Sequence, residues 1–347
     1  MNIILKEIIE KRNNRKMEIK TKNCLVTGAA GFIGSNFTNY MAKKYVSVRF
    51  VVLDILDYCS SLENLEKLPN IEIVVGDIAN SELVGYILRK FKIDSVVHFA
   101  AQSHVDNSFY NSIPFTKTNV LGTHILLETI RLYHEDTHMI QKIIHVSSDE
   151  VYGETKDNIA KTESSAFDPT SMYAASKAAV EMFVKAYYHS FKMPVIIARG
   201  NNCFGPQQYP EKVIPKFICQ LLNNEKITIQ GQGTAQRNFI HVDDTCTAFE
   251  TILLKGEIGE IYNISADHSN EFTVMQLANI LINMIKPGQK ISDHIEYIED
   301  RKFNDARYYI CSEKLEKLGW KPFRINFKEE LIQLIDWYKI NKIRYNF

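Results

Sequence analysis

Four side chains in two short segments carry groups suited to moving protons. Asp149 and Glu150 stand in Ser147-Ser148-Asp149-Glu150-Val151-Tyr152-Gly153, and Tyr173 and Lys177 in Tyr173-Ala-Ala-Ser-Lys177. Residues four apart share a helix face, so Lys177 can sit beside the Tyr173 phenol and lower its pKa. A phenolate there can take the proton of a sugar hydroxyl as hydride leaves the same carbon. The two carboxylates point to a further step. A plain alcohol oxidation does not require them, whereas an elimination does. Once C4 of a hexose is a ketone, its C5 proton becomes acidic. One carboxylate can remove that proton, and one carboxylic acid can protonate the departing C6 hydroxyl, provided their pKa values are pushed apart. In an arbitrary loop the acid pair would be solvated charge, and Y-x-x-x-K alone is a common helix spacing. Their context decides.

That context begins with Gly28, Gly31 and Gly34 in T-G-A-A-G-F-I-G, between an apolar strand (22–27) and a helix. The first glycine permits a tight turn, the second a close approach to a pyrophosphate, and the third close helix–strand packing. Free N–H groups at the helix start hold the anion. Asp54 closes the next strand. A carboxylate there binds both ribose hydroxyls of NAD and repels the 2′-phosphate of NADP, so NAD is the expected cofactor. Asp77, after the third strand, is a candidate for adenine, with a strand-end cap as its alternative.

Strands that are apolar throughout alternate with helices: 71–77, 94–100, 142–148 and 194–199 are strands, and 112–133 and 171–191 are helical. This predicts an α/β fold, a Rossmann-type doubly wound parallel sheet. The acid pair then falls at the carboxyl end of the fifth strand, where such sheets bind ligand. The less regular remainder predicts a smaller mixed α/β substrate-binding lobe. The expected division is an N-terminal extension (1–21), an NAD-binding domain (22–199 plus about 238–265), and a nucleotide-sugar lobe (about 200–237 and 266–347). A frayed extension is the expectation for 1–21, with a basic amphipathic helix or an import sequence as alternatives.

The 347 residues carry 41 basic and 41 acidic side chains, so overall charge gives no support to nucleic acid as a partner. No apolar run is long enough to span a membrane. The six cysteines form no C-x-x-C pair and no zinc spacing. Reduced thiols, no metal and a cytoplasmic location are therefore expected.

The glycine spacing and Tyr173–Lys177 resemble the short-chain dehydrogenase/reductase superfamily. The motifs HFAAQSHVDNSF, HVSSDEVYGE, YAASK, RGNNCFGPQQYPEKVIPKFI and DRKFNDARYYICSEKLEKLGW resemble its extended branch, the nucleotide-sugar 4,6-dehydratases, from about residue 22 onward. The similar epimerases and decarboxylases lack the Asp-Glu pair. The intact Asp149, Glu150, Tyr173 and Lys177 argue against a silent NAD-binding regulator. The resemblance implies Asp149 as general acid, Glu150 as general base and Ser148 as the group polarising the C4 oxygen. It also implies cofactor contacts from Phe32, Ile33, Ile78, Ala100, Ala101 and Asn119. Ser103, His104, Asn202, Lys212, Lys216, Arg237 and Arg301 fall where the family holds sugar and diphosphate. Arg199-Gly200-Asn201-Asn202 resembles the same contacts. His104 as a structural histidine, the lysines as solvated charge and the arginines as surface ion pairs are the alternatives. The implied reaction oxidises C4, eliminates water across C5 and C6, and reduces C6.

Arg237-Asn238-Phe239 departs from the R-D-W of the bacterial dTDP-glucose enzymes, and Phe303-Asn304-Asp305 from their Gly-His-Asp. The late text is more similar to the dehydratase part of plant rhamnose synthases, so UDP-glucose is expected ahead of dTDP-glucose. A homodimer through helices 112–133 and 171–191 is the family's expectation.

Overall fold

The computed structural model describes residues 19–156 and 158–345. Most of the predicted extension therefore lies outside the described residues. Seven strands form one parallel sheet: β1 (Asn23–Thr27), β2 (Arg49–Asp54), β3 (Ile71–Val75), β4 (Ser95–His98), β5 (Lys142–Ser148), β6 (Val195–Gly200) and, from late in the chain, β10 (Ile261–Ile264). Their order is β10-β6-β5-β4-β1-β2-β3. The order reverses between β1 and β4, and a crevice opens at the carboxyl ends there.

The central strands are buried on both sides because helices cover both faces. On one face, α1 (Phe32–Lys44) and α8 (Val242–Lys255) pack over Val26, Val97, Ile144 and Ile196. On the other, α2 (Ser81–Phe91), α5 (Thr123–Thr137) and α6 (Met172–Phe191) pack over Leu25, Val96, Ile143 and Ile197. The edge strand β3 departs from the expectation of strands buried throughout, with Ile73 and Val75 exposed. The predicted helix 112–133 is helical but not uniform. A π-helical turn, Thr116–Gly122, joins the short α4 (Ile113–Phe115) to α5. The SEKLEKLGW segment contributes only the short α10 (Glu313–Glu316), and Trp320 beyond it is buried against α8, its indole N–H reaching Thr247.

The lobe has its own core, built by α7 (Val213–Leu222), α9 (Val274–Ile285) and α11 (Phe327–Asn341). It carries a three-stranded sheet of β7 (Asn202–Phe204), β9 (Gln236–His241) and β11 (Glu271–Thr273). It also carries a parallel pair, β8 (Ile227–Gln230) with β12 (Ile295–Ile298). Four of these strands were not foreseen, being three to six residues long with no extended alternation. β9 pairs with β7 and β11 in the smaller sheet, and α8 after it packs on the central sheet.

Candidate active site

A cavity of about 780 Å³ runs from the glycine turn, past the end of β5, into the lobe. At one end Gly28 has φ +67°, and a Cβ there would lie 2.5 Å from the Ala100 nitrogen. A Cβ on Gly34 would lie 2.4 Å from the Gly28 oxygen. Both contacts are backbone against backbone, so this turn can be this tight only with glycine. Gly31 meets only the Gly28 oxygen, at 3.3 Å, and lines the cavity with Phe32 and Ile33.

Asp54 is buried at the tip of β2. Its Oδ2 accepts from the Ala30 N–H and its Oδ1 from the Leu56 N–H, each at 2.8 Å, which fixes the carboxylate at the crevice. Asp77 accepts from the Ala79 N–H at 2.9 Å, the strand-end cap, and also lines the cavity. Ile78, Ala100 and Ala101 line it too. Asn119 does not line it. Its buried amide is engaged by the Gln102 backbone and the Ser176 hydroxyl. The glycine cradle, the oriented Asp54 and the helix start of α1 together fit a dinucleotide.

Ser148 ends β5 and caps the short turn that follows, accepting from the Glu150 N–H at 3.3 Å. Its hydroxyl donates to Asp149 Oδ1 at 3.2 Å, and Asn201 donates to Asp149 Oδ2 at 2.8 Å. Burial pushes the Asp149 carboxyl up to about 6, against the opposing pull of Asn201 and Arg237. Burial, then repulsion by Asp149, pushes Glu150 up to about 7, against Arg237, Lys212 and Arg301. The two carboxyls are thus a coupled pair that titrates near neutrality.

Ser171 caps α6 by accepting from the Ala174 N–H, which starts the helix at the right register to bring Tyr173 and Lys177 to the end of β5. The Lys177 ammonium donates to the Val146 carbonyl at 2.9 Å. Burial pulls its pKa down to about 8, partly offset by Glu181 one turn further on. Contrary to the expectation from spacing, the Tyr173 phenol is pushed up, by burial first and Glu150 second. The Ser148 hydroxyl, as its hydrogen-bonding neighbour, acts in the other direction.

The lobe supplies Asn202, Lys212, Lys216, Arg237 and Arg301 to the cavity, and the sheet side supplies Ser103 and His104. Arg237 lies over the Tyr308 ring at 4.4 Å and donates to the Asp305 carbonyl and to Asn304, which holds its plane fixed. Arg301 pairs with Asp106 at 2.5 Å, Lys212 donates to the Ser103 carbonyl at 2.6 Å, and His104 Nδ1 lies 3.9 Å from Glu211. Four cationic side chains converging here suit a diphosphate. Arg199, expected near the diphosphate, is instead wholly buried. It forms an ion pair with Glu181 and donates to the Tyr152 hydroxyl. Sequence reasoning missed Asn201 as the partner of Asp149, and Tyr308 beneath Arg237. Asn201 falls between β6 and β7, outside either strand, so no periodicity in the sequence marked its direction.

The fold and the site define an extended short-chain dehydrogenase-type enzyme with NAD as its cofactor. The chain belongs to the GDP-mannose 4,6 dehydratase family, whose model matches residues 25–334. It is 46% identical over 327 residues to a trifunctional UDP-glucose 4,6-dehydratase/UDP-4-keto-6-deoxy-D-glucose 3,5-epimerase/UDP-4-keto-L-rhamnose-reductase of Arabidopsis thaliana. That match covers 93% of this chain and 48% of the plant protein, so the chain spans about half of it. It is 44% identical to a dTDP-D-glucose 4,6-dehydratase of Dictyostelium discoideum, over 95% of this chain and 84% of the other. The crystal structure of a Streptomyces venezuelae dTDP-glucose 4,6-dehydratase with NAD bound superposes with a TM-score of 0.86 at 38% identity, covering 93% of this chain and 98% of that one. Among the described residues, no helix is long and apolar enough to cross a membrane, and no His, Cys, Asp or Glu group is placed to hold a metal.

Proposed function

We propose that the protein dehydrates UDP-glucose, ahead of dTDP-glucose, to the nucleotide-linked 4-keto-6-deoxyglucose. The observation that carries this reading is the pair of adjacent carboxyls, buried Asp149 and half-buried Glu150, in one cavity with Tyr173 and Lys177. An epimerase or decarboxylase on the same scaffold has no use for two carboxyls titrating near neutrality beside the redox pair. Gly28, Gly31, Gly34 and Asp54 hold the dinucleotide, with Lys177 and Tyr173 at its reactive end. Bound NAD supplies hydride removal from C4 and hydride return to C6. Tyr173 takes the O4 proton, and Ser148 polarises that oxygen. Glu150 removes the C5 proton, Asp149 protonates the C6 hydroxyl as water leaves, and Glu150 then reprotonates C5. Both carboxyls are raised, Asp149 to about 6 and Glu150 to about 7, so each can exchange a proton near neutrality; which is acid and which is base rests on the resemblance, not on the order of these values. Lys212, Lys216, Arg237 and Arg301 clamp the diphosphate.

The UDP preference rests on Phe303-Asn304-Asp305 and on the similarity to the plant dehydratase part. We also propose a cytoplasmic homodimer, for which the apolar Leu121 and Met182, exposed on the expected helices, provide support. The test is separate incubation with UDP-glucose and dTDP-glucose, following product mass. Loss of one water, with the higher kcat/KM for UDP-glucose, is the expected result. Preference for dTDP-glucose overturns the substrate choice, and loss of water from neither overturns the reaction.

A further inference from the structure

The elimination makes a demand on the C6 hydroxyl that its acid alone does not meet. To leave as water, O6 must receive the Asp149 proton on a lone pair. A hydroxyl carries one hydrogen and two lone pairs, so that hydrogen has to point away from the acid. An acceptor beside Asp149 would hold it there.

Asn201 offers one. It lies between β6 and β7, and its backbone N–H donates to the Ile264 carbonyl at 3.0 Å, which fixes the chain at the end of β10. Its side-chain nitrogen donates to Asp149 Oδ2 at 2.8 Å. The carboxylate accepts, so the amide nitrogen faces it and the amide oxygen, Oδ1, faces away. Asn201 is 8% exposed and lines the same cavity as Asp149 and Glu150. Among the described residues, Oδ1 is hidden from solvent and has no hydrogen-bond partner. A buried acceptor without a donor is costly to keep, so its retention calls for a donor that arrives from outside the fold. The donor bound beside Asp149 is the hydroxyl that Asp149 protonates.

We propose that Asn201 Oδ1 accepts the hydrogen of the C6 hydroxyl and so turns an O6 lone pair toward Asp149. As the C5 proton passes to Glu150, its electron pair forms the C5–C6 double bond. The C6–O6 bond breaks, the Asp149 proton bonds to O6, and water leaves while still donating to Asn201. Asn201 thereby serves the reacting end of the sugar and not the diphosphate that its motif resembles. This inference rests on the dehydratase reading.

A sugar with fluorine in place of the C6 hydroxyl tests the contact, because fluorine leaves as hydrogen fluoride and has no hydrogen to donate. Wild type, Asn201→Ala and Asn201→Leu are followed through a single turnover of each sugar, with enzyme in excess and with the nucleotide that wild type prefers. NADH absorbance rises as C4 is oxidised and falls once elimination lets hydride return to C6, so its decay reads the elimination. In both variants NADH forms at the wild-type rate. Its decay slows more with the hydroxyl sugar than with the fluoro sugar, by about tenfold, the worth of one buried hydrogen bond. Slowing common to both sugars measures the hold of Asn201 on Asp149. Equal slowing with both sugars, or none with either, overturns the contact. Retained NAD and an unchanged melting temperature show that a variant is folded. Independently of any variant, wild type holding NADH binds the hydroxyl sugar about tenfold more tightly than the fluoro sugar, and equal affinity overturns the contact as well. Wild-type protein that dehydrates neither UDP-glucose nor dTDP-glucose overturns the dehydratase reading first, and the contact with it.

Discussion

Replacing Glu150 with glutamine removes a charge that the fold disfavours, so the inactive variant is the more stable protein. Glu150 titrates near 7 in the fold against an ordinary value of 4.5. A group whose pKa is raised on folding contributes fully to stability below its unfolded value, and that contribution is lost as pH rises through the folded value. The difference of about 2.5 units, at about 1.4 kcal/mol each, amounts to roughly 3 kcal/mol withdrawn from wild type above neutrality. Glutamine keeps the shape of the protonated acid and never ionises. Urea denaturation of the two proteins without substrate is the assay. The curves coincide at about pH 4, separate between about pH 5 and 7, and at about pH 8 the variant is more stable by roughly 2–3 kcal/mol. The same variant makes no dehydrated product yet retains NAD. A wild type and variant with the same pH dependence would refute the assignment of a carboxylate whose charge the fold disfavours. A variant less stable at alkaline pH would do so as well.

Gly34→Ala sets a Cβ 2.4 Å from the Gly28 oxygen and forces the turn open, so NAD affinity falls at least tenfold, read by fluorescence titration. Arg237→Ala removes the cation stacked on Tyr308. It raises KM for the nucleotide sugar by one to two orders of magnitude, about 1.5–3 kcal/mol for a charged hydrogen bond, with kcat less affected. Arg199→Met leaves Glu181 charged and buried and costs roughly 3–5 kcal/mol in denaturation. The double change with Glu181→Met recovers most of it, because a buried pair is harmed chiefly by losing one partner.

The sheet was legible because its strands are continuous apolar runs between recognisable helices, and the glycine turn and Asp54 have spacings that only a few folds use. The four residues proposed to move protons stood out because their types suggest chemistry and the glycine turn and sheet around them gave their spacing a context. The lobe was harder to read. Strands as short as Asn202–Phe204 show no periodicity, and their pairing with Gln236–His241 is set by tertiary contact. Arg199 misled for a related reason: its motif named it, but its direction is decided by Glu181 on a helix 18 residues earlier. The Tyr173 shift likewise depends on depth and on Glu150, which helix spacing cannot report.

The most direct test of the central claim uses UDP-glucose carrying deuterium at C4, with the product examined by mass and proton NMR. A product lighter by one water, with the deuterium at C6, is what the Asp149–Glu150 elimination inside a closed oxidation–reduction cycle predicts. Sugar of unchanged mass, or dehydrated product with the label lost to solvent, would contradict it.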